Sequence, residues 1–77
     1  MITDRLKQLI LSELALESFE FTDETQATQV PGWDSLSHVR LLAAIETAYG
    51  IRFKSLEVIR LRSVGDLQIL IDRKLKP

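Results

Sequence analysis

Apolar residues recur at helical spacing in three long segments of this chain, and a polar stretch from Glu17 to Trp33 separates the first from the second. Ile2, Leu6, Leu9, Ile10 and Leu14 share one helical face, with Thr3 available as an N-cap and Asp4 suited to the positive helix end. The spacing predicts a first helix over Thr3 to Leu16. The polar stretch, ESFEFTDETQATQVPGW, has no periodicity and closes on Pro31-Gly32. Phe19 and Phe21 alternate with acids there, but a lone strand has nothing to pair with, so both rings are expected to pin the loop onto the helices.

After Gly32 the chain meets no helix breaker until Gly50, which is placed to end a second helix over Ser35 to Tyr49. Leu41, Leu42, Ile45, Ala48 and Tyr49 form its core face, whereas Leu36, Val39, Arg40 and Ala43 form a separate stripe. Lys54 to Leu61 reads as a brief third helix with Leu56, Ile59 and Val58 turned inward. Ser63, with Asp66 three residues on, resembles a shortened capping box and opens a last helix to about Lys74, carrying Val64, Leu67, Leu70, Ile71 and Leu75. No segment requires a sheet and no repeat is present, so the pattern predicts a small all-α bundle in one domain, residues 1–77.

At 77 residues such a domain buries only roughly 60% of the surface its unfolded chain exposes, so caps and packing must cooperate. The chain has no cysteine, which removes disulfides, thiolate metal sites and a cysteine nucleophile together, and no metal site is expected. No apolar run reaches membrane-span length and the first residues lack a cleavage signal, which gives a cytoplasmic location as the expectation. Residues 1–49 hold three bases and eight acids, while residues 50–77 hold seven bases and three acids. The molecule is therefore polarised. Its bases alternate with acids instead of forming one basic face with aromatics, which argues against nucleic acid as a partner.

Ser35 combines a reactive hydroxyl, a helix start and the adjoining stripe. A phosphodiester there would meet the unpaired N–H groups and the positive dipole end of helix two. Asp34 or Ser35 could equally be a plain N-cap, and Gly32-Trp33-Asp34-Ser35-Leu36 alone favours that simpler role. Hydrolysis is disfavoured: His38 shares the helical face, but no acid is placed to orient its imidazole, so no catalytic residue is expected.

The run V-P-G-W-D-S-L-S-H-V-R-L-L-A-A-I-E-T-A-Y-G-I resembles the acyl carrier and peptidyl carrier family around its Asp-Ser-Leu attachment motif. The likeness extends through Ile45-Glu46, Tyr49-Gly50-Ile51 and Ser63-Val64-Gly65-Asp66-Leu67, nearly the whole chain. The resemblance implies a four-helix bundle with a long loop between helices one and two and a short third helix. It implies that a phosphopantetheinyl transferase attaches 4′-phosphopantetheine from coenzyme A to Ser35, flanked by Asp34 and Leu36. A ligase or acyltransferase would load this monomeric carrier with an acyl or aminoacyl thioester, and condensing or transfer enzymes would unload it. The stripe Leu36, Val39, Arg40 and Ala43 matches the family's partner-docking face.

Two features depart from the pattern. Helix two has few acids, with Ser37 and Arg40 at positions often acidic, which points to a specialised pathway rather than primary fatty acid synthesis. Lys54, Arg60 and Arg62 are basic where the family frequently has acids, and they suit either an acidic partner or a solvated face. An unmodified helical interaction module of the same fold is the remaining alternative. Trp33 is expected to pack on the loop and His38 to be solvated. Should an acyl chain enter between the helices, Leu42, Ile45, Leu67 and Ile71 would line it.

Overall fold

The computed structural model describes residues 2–76, and among them the secondary structure is helical, with no strand. Four α-helices follow in order: α1 Asp4–Glu13, α2 Ser35–Tyr49, α3 Ser55–Ile59 and α4 Val64–Leu75, with a 3-10 turn at Ala27–Gln29 in the long loop.

Helix α1 starts where expected, with Thr3 Oγ1 accepting from the Leu6 N–H at 3.3 Å. It stops at Glu13, short of the expected Leu16. Ala15 takes a left-handed conformation, φ 54°, so that its N–H reaches Ser12 O at 3.3 Å and Leu16 N–H reaches Leu11 O at 2.9 Å. This paired closure satisfies the last carbonyls and turns the chain, using an alanine where glycine is the usual choice.

Helix α2 matches its expected bounds, and Gly50, left-handed at φ 67°, ends it. Leu6 and Ile10 of α1 pack with Leu41 and Ile45 of α2 and with Val64, Leu67 and Ile71 of α4, under a cover that includes Phe21 and Val30. Leu9, Leu14, Leu42 and Leu70 are half-buried, while Ala48 is exposed. The Arg5 guanidinium clasps α1 to the end of α2, donating to Ala48 O at 2.7 Å and lying 4.1 Å from the Tyr49 ring centroid.

The loop is tied to α4 through its backbone. Val64 N–H donates to Thr25 O at 2.8 Å and Gly65 N–H to Asp23 O at 3.0 Å. A Cβ on residue 65 would lie 2.5 Å from Asp23 O, so this close approach requires glycine. Phe19 and Phe21 meet at 4.9 Å between ring centroids, and Phe21 is buried. Ser63 Oγ caps α4 by accepting from Asp66 N–H at 3.2 Å. Asp66 returns the bond one residue further out, accepting from Arg62 N–H at 3.1 Å, so the expected reciprocal box with Ser63 is displaced to Arg62. The buried amide of Gln68 accepts from Thr3 N–H at 3.0 Å and donates to Asp72 at 2.9 Å, so this core polar group is partnered.

Helix α3 departs most from expectation. Leu56 and Ile59 are 69% and 76% exposed instead of turned inward, and Val58 and Leu61 take the half-buried side. The cause lies in Glu57, whose carboxylate accepts from Lys54 N–H and pairs with Lys74 of α4, each at 2.8 Å. Tying Glu57 to α4 rotates its neighbour Leu56, and Ile59 one turn on, toward solvent. Leu75, which shares the apolar spacing of α4, is 49% exposed on its last turn.

Candidate functional site

Helix α2 begins by a division of labour between adjacent residues. Asp34, in extended backbone at φ −102°, is the N-cap: its Oδ1 accepts from the Ser37 N–H at 2.8 Å. That backbone bond, helped by the Ser37 hydroxyl, holds the Asp34 carboxyl below the ordinary carboxylate range. Ser35 is the first helical residue, and its exposed hydroxyl takes no part in the cap. The ambiguity left by the pentapeptide is thus resolved in favour of Asp34. The Ser35 hydroxyl stands free at the positive end of a fifteen-residue helix, a position that fits a phosphodiester in both charge and access.

An open groove runs along this end of α2, lined by Ala27, Trp33, Asp34, Ser35, His38 and Val39. Leu36 and Val39 are 63% and 64% exposed, with Arg40 and Ala43 exposed beside them, so the stripe is a solvent-facing surface. Of its four members only Val39 shares the groove with Ser35; Leu36, Arg40 and Ala43 stand outside it.

His38 is half-buried and bonded, contrary to the expectation of a solvated imidazole. The Trp33 indole Nε1–H donates to His38 Nδ1 at 3.0 Å, and the rings lie nearly parallel, at 29°. The imidazole is thus engaged with the indole and makes no hydrogen bond to Ser35. Trp33 packs against the core edge. Behind the pair lies a cavity of about 40 Å³ lined by Ala27, Trp33, His38, Leu61, Arg62, Ser63, Val64 and Leu67.

Glu46 has a supporting role that its sequence context did not disclose. Its Oε2 accepts from the Phe53 N–H at 2.8 Å, anchoring the connection that follows α2. Its recurrence beside Ile45 in the family-like run was the available signal. Among the described residues no group of three or more His, Asp or Glu side chains is arranged to hold a metal, and no helix is long and apolar enough to cross a membrane.

Residues 4–70 match the family defined by the phosphopantetheine attachment site. The chain is similar to the acyl carrier protein of Thermotoga maritima, with 27% identity over 74 residues, covering 96% of this chain and 91% of that one. It is also similar to the acyl carrier protein of Phytoplasma australiense, at 24% identity over 97% of this chain and 99% of that one. Among solved structures, the holo acyl carrier protein of Geobacter metallireducens superposes with a TM-score of 0.88 at 39% identity, covering 94% of this chain and 83% of the other. The helical bundle, the free serine opening α2 and these likenesses agree: the chain belongs to the phosphopantetheine-bearing acyl carrier family, whose members are carriers and not enzymes.

Proposed function

We propose that Ser35 carries the 4′-phosphopantetheine arm and that the protein presents acyl or aminoacyl groups on it to successive enzymes. The observation that supports this most is the assignment of capping to Asp34, which leaves the neighbouring hydroxyl exposed on the first helical turn. Modifying Ser35 therefore costs the helix no cap, and it sets the new negative charge where the dipole favours it. Attachment proceeds on a phosphopantetheinyl transferase, where Ser35 Oγ displaces adenosine 3′,5′-bisphosphate from coenzyme A. The bound group supplies the thiol that this cysteine-free chain lacks, and the cargo is held on it as a thioester.

Asp34 and Leu36 flank the attachment point, and Leu36, Val39, Arg40 and Ala43 form the surface that partner enzymes meet. Those partners are the transferase, a loading ligase or acyltransferase, and downstream condensing or transfer enzymes. The single domain, residues 1–77, acts as a monomer in the cytoplasm. A specialised pathway fits better than primary fatty acid synthesis. The acids of α2 reduce to Glu46, engaged with Phe53 N–H, while Arg40 is exposed, and Lys54, Arg60 and Arg62 extend the basic character. Rim charges of this kind govern on-rate and partner choice.

Intact mass after incubation with coenzyme A and a broad-specificity transferase tests the carrier role. The wild-type protein is expected to gain one phosphopantetheine group and Ser35→Ala none. No gain by folded protein would favour an unmodified interaction module. For docking, Arg40→Glu and Arg60→Glu are expected to slow transfer by a cognate ligase, and unchanged rates would remove the charge argument.

A further inference from the structure

One space adjoins Ser35 and a second lies beside it, and they share lining residues. The outer groove contains Ser35 and Val39, and the inner cavity of about 40 Å³ is floored by Leu61, Val64 and Leu67. Ala27, Trp33 and His38 line both, so the Trp33–His38 pair is the partition between them. At about 40 Å³ the inner cavity is far below the ~150 Å³ of an apolar cavity that takes up benzene, so as it stands it has no room for an acyl chain of several methylenes.

The partition has one specific fastening, the Trp33 Nε1–H bond to His38 Nδ1 at 3.0 Å, reinforced by ring contact. Both residues are only half-buried, and the buried Val64 and Leu67 line the inner cavity with them, so swinging the pair outward would uncover those two side chains but none of Leu6, Ile10, Leu41, Ile45 or Ile71, which line neither space. The charged side chains lining these two spaces are Asp34, already engaged at the Ser37 N–H, and Arg62 on the inner side. Neither side chain hydrogen-bonds the His38 imidazole, so within the described residues the indole is its fastening.

We propose that the Trp33–His38 pair is a latch that confines the cargo carried from Ser35 to the outer groove, and that releasing it admits the chain to Val64 and Leu67. The proposal rests on Ser35 bearing the arm. It makes Trp33 and His38 specificity-determining residues: a latched carrier leaves its thioester and the first carbons of its cargo in reach of partner enzymes, and it gives no added shelter to a longer chain.

The test compares wild-type protein, Trp33→Phe and His38→Ala, each loaded with octanoyl-phosphopantetheine from octanoyl-coenzyme A, with loading confirmed by mass. Trp33→Phe keeps a ring at the wall and removes only the N–H. Unperturbed Leu6 and Ile71 methyl signals confirm that each variant is folded. On going from unacylated to octanoyl form, the Val64 and Leu67 methyl signals are expected to stay in place in the wild type and to shift in both variants. Hydroxylamine is expected to cleave the thioester several-fold more slowly in the variants. Equal methyl shifts in all three proteins, or none in any, would overturn the latch. Failure to gain the mass would instead overturn the assignment of the arm to Ser35, and the latch with it.

Discussion

Helices α2 and α3 both expose large apolar side chains, yet they do so on opposite terms. Helix α2 spans fifteen residues, is capped by Asp34 and Gly50, and buries Leu41 and Ile45 fully, so its exposed Leu36 and Val39 belong to an element secured on its other side. Helix α3 spans five residues, buries none of them, and is held by Glu57 through Lys74 and the Lys54 N–H. Exposure on α2 is the outer face of a rigid platform, whereas exposure on α3 belongs to an element whose position depends on polar contacts at its rim. The difference suits the role proposed for Ser35 on α2: an attachment point that partners must find repeatedly needs a helix fixed by its core face.

The largest expected effect separates the two helices by core substitution. Ile45→Ala should destabilise the protein by about 2–5 kcal/mol, while Ile59→Ala should change stability by no more than about 0.5 kcal/mol, both read from urea unfolding. A loss of comparable size at Ile59 would break the distinction. At the end of α1, Ala15→Gly should stabilise by about 0.4–1 kcal/mol, because glycine relieves the left-handed strain at φ 54°, although the flexible unfolded chain offsets part of the gain. Destabilisation there would mean that the helix does not close through Ala15.

Acid titration gives a finer contrast. Asp34 is held below its ordinary range chiefly by the Ser37 N–H, and Glu57 chiefly by Lys74. A carboxyl depressed in the folded state contributes stability above its unfolded pKa and loses it as pH falls through the folded value. Thermal midpoints should therefore fall as pH drops below the ordinary carboxylate range, and both Asp34→Asn and Glu57→Gln should flatten that fall. Asparagine still caps, so Asp34→Asn should keep most of the neutral-pH stability. The smallest effect is the salt response: added salt should modestly weaken the half-buried Glu57–Lys74 pair and leave the Asp34 cap nearly unchanged. Equal salt sensitivity at the two sites would remove the contrast.

These contrasts also mark what the residues disclose without coordinates. Helix α2 was legible to the residue because a cap, an unbroken apolar face and a terminal glycine all agreed. The early stop of α1 was not, since Ala15 carries no sequence signal for a left-handed turn. Leu56 and Ile59 misled because five residues make too short a period to show which side is pinned, and the partner that pins Glu57 is Lys74 on another helix. Ser35 stood out through its motif and its place on α2, but its freedom from capping depended on which oxygen takes the Ser37 N–H, a matter of geometry. The Trp33–His38 bond was equally hidden: five positions apart across a helix start, the two rings meet only once the loop has folded back onto α2.

The central claim is that the arm is held at Ser35 and nowhere else. Trypsin releases residues 8–40 as one peptide that contains Ser12, Ser18, Ser35 and Ser37, so fragmentation of that peptide after treatment with coenzyme A and transferase locates the modification directly. The added phosphopantetheine is expected on Ser35 alone, with Ser37, about half a turn away on the same helix, unmodified. Modification at Ser37, or an unmodified peptide from folded protein, would contradict it.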